Sequence, residues 1–264
     1  MGYFEWLAAV LEELASGDKL VASALSGFFV ALTTAAGAAA VFLTRRESEP
    51  KMDVELSFAA GLMLVSSFTS LILPGIQASG FVPVAVGIAL GVVAIHALDR
   101  LVPHEHALKG YEGPPELRNA LRKTWLLALA VIIHNLPEGL TVGVTTVYSI
   151  SLGVATAIAI GLQDIPEGLA VALPVSKVRG RAAGFLVGAL SGLSETLMAV
   201  VAALLFDLLS WLLPVGMGFA GGAMLYVTLK ELVPEIYREG TSELRVTAGL
   251  LAGFYVMLLL DSML

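Results

Sequence analysis

Residues 131–176 read VIIHNLPEGLTVGVTTVYSISLGVATAIAIGLQDIPEGLAVALPVS, two apolar runs parted only by the segment YSIS at 148–151. Runs this continuous read as membrane-spanning helices, since a strand of a membrane barrel would alternate over about ten residues. The connection is so short that the two helices run antiparallel. Yet the middle of each run carries the same polar order: His134, Asn135, Leu136, Pro137, Glu138, Gly139 in one and Gln163, Asp164, Ile165, Pro166, Glu167, Gly168 in the other. Helical residues four apart share a face, which stacks His134 over Glu138 and Gln163 over Glu167, with Asn135 and Asp164 turned by about 100° toward a neighbour. Pro137 and Pro166 lack the N–H that would bond the carbonyls of Ile133 and Leu162, so both helices are expected to kink and open there. Similar motifs at equal depth on antiparallel helices face one another about an axis in the membrane plane, as in inverted-repeat bundles.

The rest of the chain is of the same kind. Of 264 residues, 57% are hydrophobic and 14% charged, against about 25% charged in soluble domains, and the mean hydropathy is +0.87. Further apolar runs lie at about 20–44, 54–76, 81–102, 182–206, 212–236 and 245–263; with 124–148 and 151–175 they predict eight transmembrane helices. These use up the length, so residues 1–264 are expected to form a single all-α integral membrane domain with no separate soluble catalytic unit. In segment 1–18, Glu5, Glu12 and Glu13 interleave with Phe4, Leu7, Leu11 and Leu14. That pattern suits an amphipathic stretch at the interface rather than a cleavable leader. No cysteine is present, which excludes disulfides, thiolate ligands and cysteine nucleophiles. A net charge of −7 argues against nucleic acid as a partner.

Orientation follows from the basic residues. Of fifteen, all but Lys19 and Lys230 fall in alternate connections: Arg45, Arg46 and Lys51; Arg100, Lys109, Arg118, Arg122 and Lys123; Lys177, Arg179 and Arg181; Arg238 and Arg245. Cytoplasmic connections collect Lys and Arg, so both termini are expected outside and the longest connection, 103–123, in the cytoplasm.

A charge at mid-membrane costs about 2.5–3.5 kcal/mol even on lenient insertion scales. The run at 182–206 adds Glu195, within SGLSETL. Together His134, Asn135, Glu138, Gln163, Asp164, Glu167 and Glu195 bring one imidazole, four carboxylates and two amides to one depth. A single amide there serves as well for a hydrogen bond between helices. Four acids call for a cation. Nitrogen and oxygen donors without sulfur suit Zn²⁺, Mn²⁺, Fe²⁺ or Co²⁺ and also accept Cd²⁺. The acids exceed the charge of one divalent ion, so either two ions share a bridging carboxylate or some acids stay protonated.

At these residues the chain resembles the ZIP (Zrt-, Irt-like protein) family of metal transporters, in its prokaryotic type. The resemblance runs over essentially the whole length, and HNLPEG in the fourth span with QDIPEG in the fifth carries it. It implies a binuclear transition-metal centre, with one ion on His134, Glu138 and Glu167. The second would lie on Asn135, Asp164, Glu167 and Glu195, with Glu138 near and Gln163 at the junction. Gln163 stands where many members have histidine, a departure that bears on the relative strength of the two positions. The resemblance further implies a homodimer in the cell membrane that brings divalent ions into the cytoplasm, Zn²⁺ foremost, with Fe²⁺, Mn²⁺ and Cd²⁺ as other candidates. The metal would be transported substrate and not a cofactor.

Secondary candidates lie toward the inner face. His104, Glu105 and His106 close the third span, where the resemblance implies a metal-handling loop and a solvated turn is the alternative. Glu231 in the seventh span reads as an exit-side acid. Lys230 replaces the histidine that related proteins often carry, and is expected either to pair with Glu231 or another exit-side carboxylate and help expel the cation, or to snorkel to the headgroups. His96 is expected to be a packing residue. Asp207 and Asp261 fall near outer ends. Two rival functions remain. An intramembrane zinc-dependent hydrolase would need a histidine cage, but HExxH is absent and only His134 lies at the midplane. A proton-coupled solute carrier would use the acids as proton relays. No enzymatic activity is expected.

Overall fold

In lipid an apolar segment must satisfy its own backbone hydrogen bonds, and the helix is the element that does so within one segment. The computed structural model is accordingly helical almost throughout. It describes residues 3–43, 49–106, 110–112, 123–238 and 240–263, without the side chains of 3, 4, 49–51, 104–106, 110–112, 123–128, 130, 131 and 178. Helix α1 (Tyr3–Leu14) leads through a left-handed turn at Ser16 and Gly17 into α2 (Lys19–Ala39), whose first N–H groups are capped by Asp18 Oδ1, 2.8 Å from Leu20 N. There follow α3 (Glu49–Ser66), α4 (Leu73–Ser79) and α5 (Phe81–Leu101). Beyond these lie α6 (Lys123–Tyr148), α7 (Ile150–Arg179) and α8 (Arg181–Leu208). The last three are α9 (Leu213–Val227), α10 (Val233–Ile236) and α11 (Glu243–Ser262).

Among the described residues, seven helical stretches are long and apolar enough to cross a membrane: Lys19–Phe42, Met52–Ser79, Phe81–Leu101, Ile150–Lys177, Arg181–Leu208, Ser210–Ile236 and Glu243–Ser262. Their bounds lie within a few residues of the apolar runs in the sequence. Two of them contain something the sequence did not announce. Between α3 and α4 the chain takes a π-helical turn, Ser67–Ile72, with Leu73 N–H bonded to the Phe68 carbonyl; between α9 and α10 a second, Thr228–Leu232, bonds Val233 N–H to Thr228. Each ends just before a proline, Pro74 or Pro234. A proline ring crowds the carbonyl four residues back, and widening the turn by one residue relieves that clash. By contrast, α6 continues past Pro137 and α7 past Pro166 and Pro174.

The helices pack as two groups. One holds α2, α6, α7 and α8; the other holds α3, α5, α9 and α11; they meet chiefly along α3–α7 and α6–α9. Small residues set the spacing: a Cβ at Gly87 or Gly91 of α5 would strike the α9 backbone, and one at Gly218 or Gly222 of α9 would strike that of α5. Around α6 and α9 the two groups share a core of Met63, Leu71, Leu140, Val144, Met217 and Met224. Helix α1 sets Leu7, Ala8 and Leu11 against Val154, Ala155 and Ile158 of α7, so its apolar face meets protein. Lys19, one of the two basic residues outside the alternation, donates from Nζ to the Val147 carbonyl at 2.7 Å, where the end of a helix favours a cation.

One small departure from an all-α chain appears. Residues His104–His106 (β1) and Gly110–Glu112 (β2) pair antiparallel, with His104 opposite Glu112 and His106 opposite Gly110. Strand β1 lies against α6. Three-residue strands carry too little periodicity to be read from sequence; packing against a helix is what sustains them.

Candidate metal centre

Three helices of one group supply the expected polar residues. Helix α6 carries His134, Asn135 and Glu138, α7 carries Gln163, Asp164 and Glu167, and α8 carries Glu195. Ser149 alone separates α6 from α7, its Oγ accepting from Leu152 N, and this holds the two motif-bearing helices side by side. The glycines of the two motifs then bring in further helices. A Cβ at Gly139 would collide with the backbone of Glu195, and one at Gly168 with the carbonyl of Thr34 in α2. Glycine at these positions is therefore what admits α8 and α2 to the centre.

The result is a knot of buried acids. Glu138, Asp164 and Glu195 each offer a carboxylate oxygen such that all three lie within 4.8 Å of one another. Two amides brace them, since Asn135 Nδ2 donates to Glu195 and Gln163 Nε2 to Glu138. Thr34 Oγ1 lies 3.0 Å from Glu195 Oε2 and 3.4 Å from Asp164 Oδ2. The remaining oxygens are left over: Glu138 Oε2, Asp164 Oδ1, Gln163 Oε1 and Glu167 Oε1 are buried and find no hydrogen-bond donor among the described residues. Buried lone pairs are normally satisfied. Oxygens that converge without donors, on side chains that repel one another, form the electrostatic shape of a cation site.

The seven expected residues do not all point inward alike. Glu167 lies near enough to Glu138 and to His134 to interact with both electrostatically. The His134 imidazole turns out of the trio. Its Nε2 contacts the carboxylate of Glu231, which the π turn after α9 carries in from the other helix group. Lys230, the preceding residue, donates from Nζ to Asp99 Oδ2 of α5 at 2.7 Å. His96 Nδ1 is 2.8 Å from the Tyr226 hydroxyl. The side chains of His104, Glu105 and His106 lie outside the described residues. Asp207 is exposed, whereas Asp261 lines a cavity of about 460 Å³ with Thr69, Gln77, Tyr148, Ser149 and Ser151.

Thr34, Asp99 and Tyr226 were not legible as parts of this arrangement. Thr34 sits in ALTTAAG, where a threonine reads as a helix-packing residue bonded to its own backbone, and Oγ1 is also 3.1 Å from the Val30 carbonyl. Asp99 stands near the end of α5 and reads as an interfacial charge.

Residues 102–261, more than half of the chain, match the family model described as ZIP Zinc transporter. The chain belongs to the ZIP family. Similar proteins include zinc transporter ZIPB of Bordetella bronchiseptica, 40% identical over 243 residues that make up 88% of this chain and 77% of that protein. Zinc transporter GufA of Myxococcus xanthus is 38% identical, with 93% of this chain and 98% of that one aligned. Human zinc transporter ZIP11 is 32% identical, again over 93% and 98%. As a ZIP protein with several apolar spans, the chain is a multi-pass membrane transporter of divalent metal ions and not an enzyme. The hydrolase and organic-solute alternatives fall away.

Proposed function

We propose that this ZIP protein takes up Zn²⁺, with Fe²⁺, Mn²⁺ or Cd²⁺ as further substrates of the same donor set, and delivers it across the cell membrane to the cytoplasm. The observation that carries the reading is the convergence of Glu138, Asp164 and Glu195 within 4.8 Å, with an oxygen of Glu138 and one of Asp164 that no donor satisfies among the described residues. The ion exchanges its hydration shell for these carboxylates. One position uses His134, Glu138 and Glu167; the other uses Asn135, Asp164, Glu167 and Glu195, with Gln163 between them. The amides of Asn135 and Gln163 already hold two of the carboxylates in place, which supports a centre whose ligands need little reordering to receive the ion.

In this reading α6 is an eighth span beside the seven apolar stretches, both termini face outside, and the whole chain is one transport unit that pairs with a second copy. The alternation of basic residues supports that orientation. Pro137 and Pro166 bend α6 and α7 at the depth of the centre, and the two motifs are related as an inverted repeat. The ion leaves inward by way of Glu231, and the segment 103–123, with His104, Glu105 and His106, receives it. The division of the helices into two groups with few shared seams supports a rocking of one against the other.

The test is uptake of Zn²⁺ into proteoliposomes holding the purified protein, against Glu138→Gln, Asp164→Asn and Glu195→Gln. Each variant is expected to lose most of the flux and to bind fewer ions per chain. Flux that survives all three substitutions overturns the assignment.

A further inference from the structure

Lys230 is a fixed positive charge beside a path for cations, a placement that ordinary electrostatics disfavours. Its surroundings supply a reason. The ammonium sits 2.7 Å from Asp99 Oδ2, on a carboxylate whose side chain is 2% exposed while that of Lys230 is 33% exposed. The other oxygen, Asp99 Oδ1, is buried and finds no donor among the described residues. The ring of Tyr226 lies 5.4 Å from Nζ, and the Tyr226 hydroxyl is 2.8 Å from His96 Nδ1, one turn before Asp99 on α5. Next to Lys230 in the chain stands Glu231, which touches His134. Asp99, two residues from the end of α5 at Leu101, and Glu231, the chain neighbour of Lys230, are both buried acids. Without the lysine, the buried Asp99 carboxylate would lose its positive partner and keep an oxygen with no described donor, a place that a divalent ion can take.

We propose that Lys230 is a resident counter-ion that occupies Asp99 and so keeps the inner acids from retaining the ion as it leaves the centre. This deepens the transport reading and rests on it. An ammonium tethered to the protein competes with an arriving cation for the same carboxylate, and a shallow binding step favours release. A merely structural ion pair predicts loss of stability when it is broken, but no change in the number of ions bound.

Ion count therefore decides. Full-length protein in detergent, equilibrated with Cd²⁺ at a buffered free concentration, is assayed for bound metal by mass spectrometry. Lys230→Met is expected to hold an additional ion per chain relative to the wild type, and to take up metal into proteoliposomes severalfold more slowly. Lys230→Arg keeps the wild-type count, and Lys230→Met/Asp99→Asn returns to it. If Lys230→Met does not remain monodisperse, Lys230→Gln carries the same measurement. A neutral residue at 230 with an unchanged ion count overturns the proposal. A wild type that binds no ion, beside a Lys230→Met that gains one, would instead sink the transport reading and leave only the pairing of Lys230 with Asp99 as a block to ion binding there.

Discussion

His134 of α6 and Glu231 of the π turn after α9 meet through imidazole Nε2 and carboxylate Oε2, although 97 positions separate them in the chain. The contact joins the two helix groups, and Glu231 is buried. If the groups move relative to one another during transport, this link must break and re-form, and the carboxylate is placed to take the ion from the imidazole. Glu231→Gln is expected to slow Zn²⁺ uptake about tenfold, equivalent to about 1.4 kcal/mol of barrier, with the number of ions bound at equilibrium reduced little. Wild-type flux in proteoliposomes would reduce the pair to a packing contact.

Thr34 braces Glu195 through a hydroxyl 3.0 Å away. Thr34→Val keeps the shape and removes the donor, and a hydrogen bond to a charged group contributes about 1.5–3 kcal/mol. The metal-free variant should unfold at lower temperature than the wild type, and saturating Zn²⁺ should recover most of the difference, since the ion supplies the missing positive partner. Thr34→Ser should behave as wild type. Thermal unfolding in detergent, with and without metal, reads both; identical metal-free transitions for Thr34→Val and wild type would count against the role.

At Gly139 the close approach is to the backbone of Glu195, which cannot yield as a side-chain tip can. Gly139→Ala is expected to destabilise by about 1–3 kcal/mol or more and to displace Glu195 from Glu138 and Asp164, abolishing metal binding. Gly75→Ala is the matched control, because its Cβ would meet the Val84 side chain at 3.1 Å, a contact that rotamer adjustment relieves. Equal effects of the two alanines on Cd²⁺ binding would contradict this account.

Carboxylate and imidazole ligands bind a cation only after losing their protons, so protons compete with the ion and binding releases them. Affinity for Zn²⁺ should therefore fall as pH drops from about 8 to about 5, a range that spans the ordinary imidazole value and ends just above the ordinary carboxylate values. Calorimetric titration in two buffers of different ionisation enthalpy measures the protons released. A binding heat independent of buffer at about pH 6, where an ordinary imidazole is largely protonated, would count against His134 as a ligand.

The sequence by itself marked seven apolar spans and set the polar motifs within long helices. Apolar length marks a membrane helix because the lipid requirement is local, and the bounds of α2, α5, α7, α8 and α11 fall near the ends of the apolar runs. The paired motifs were equally legible, since Glu138, Asp164 and their neighbours lie in unbroken apolar stretches where polar residues need a reason. What only the tertiary structure decided is who faces whom. Glu195 joins Glu138 and Asp164, Thr34 enters from α2, Glu231 reaches His134, and Lys230 chooses Asp99. The physical reason is that helical periodicity assigns each residue a face within its own helix, while the rotation and closeness of neighbouring helices follow from packing at Gly139 and Gly168. Relief of proline clashes in π turns then shifts Lys230 and Glu231 away from the regular helical register, a displacement invisible in one dimension.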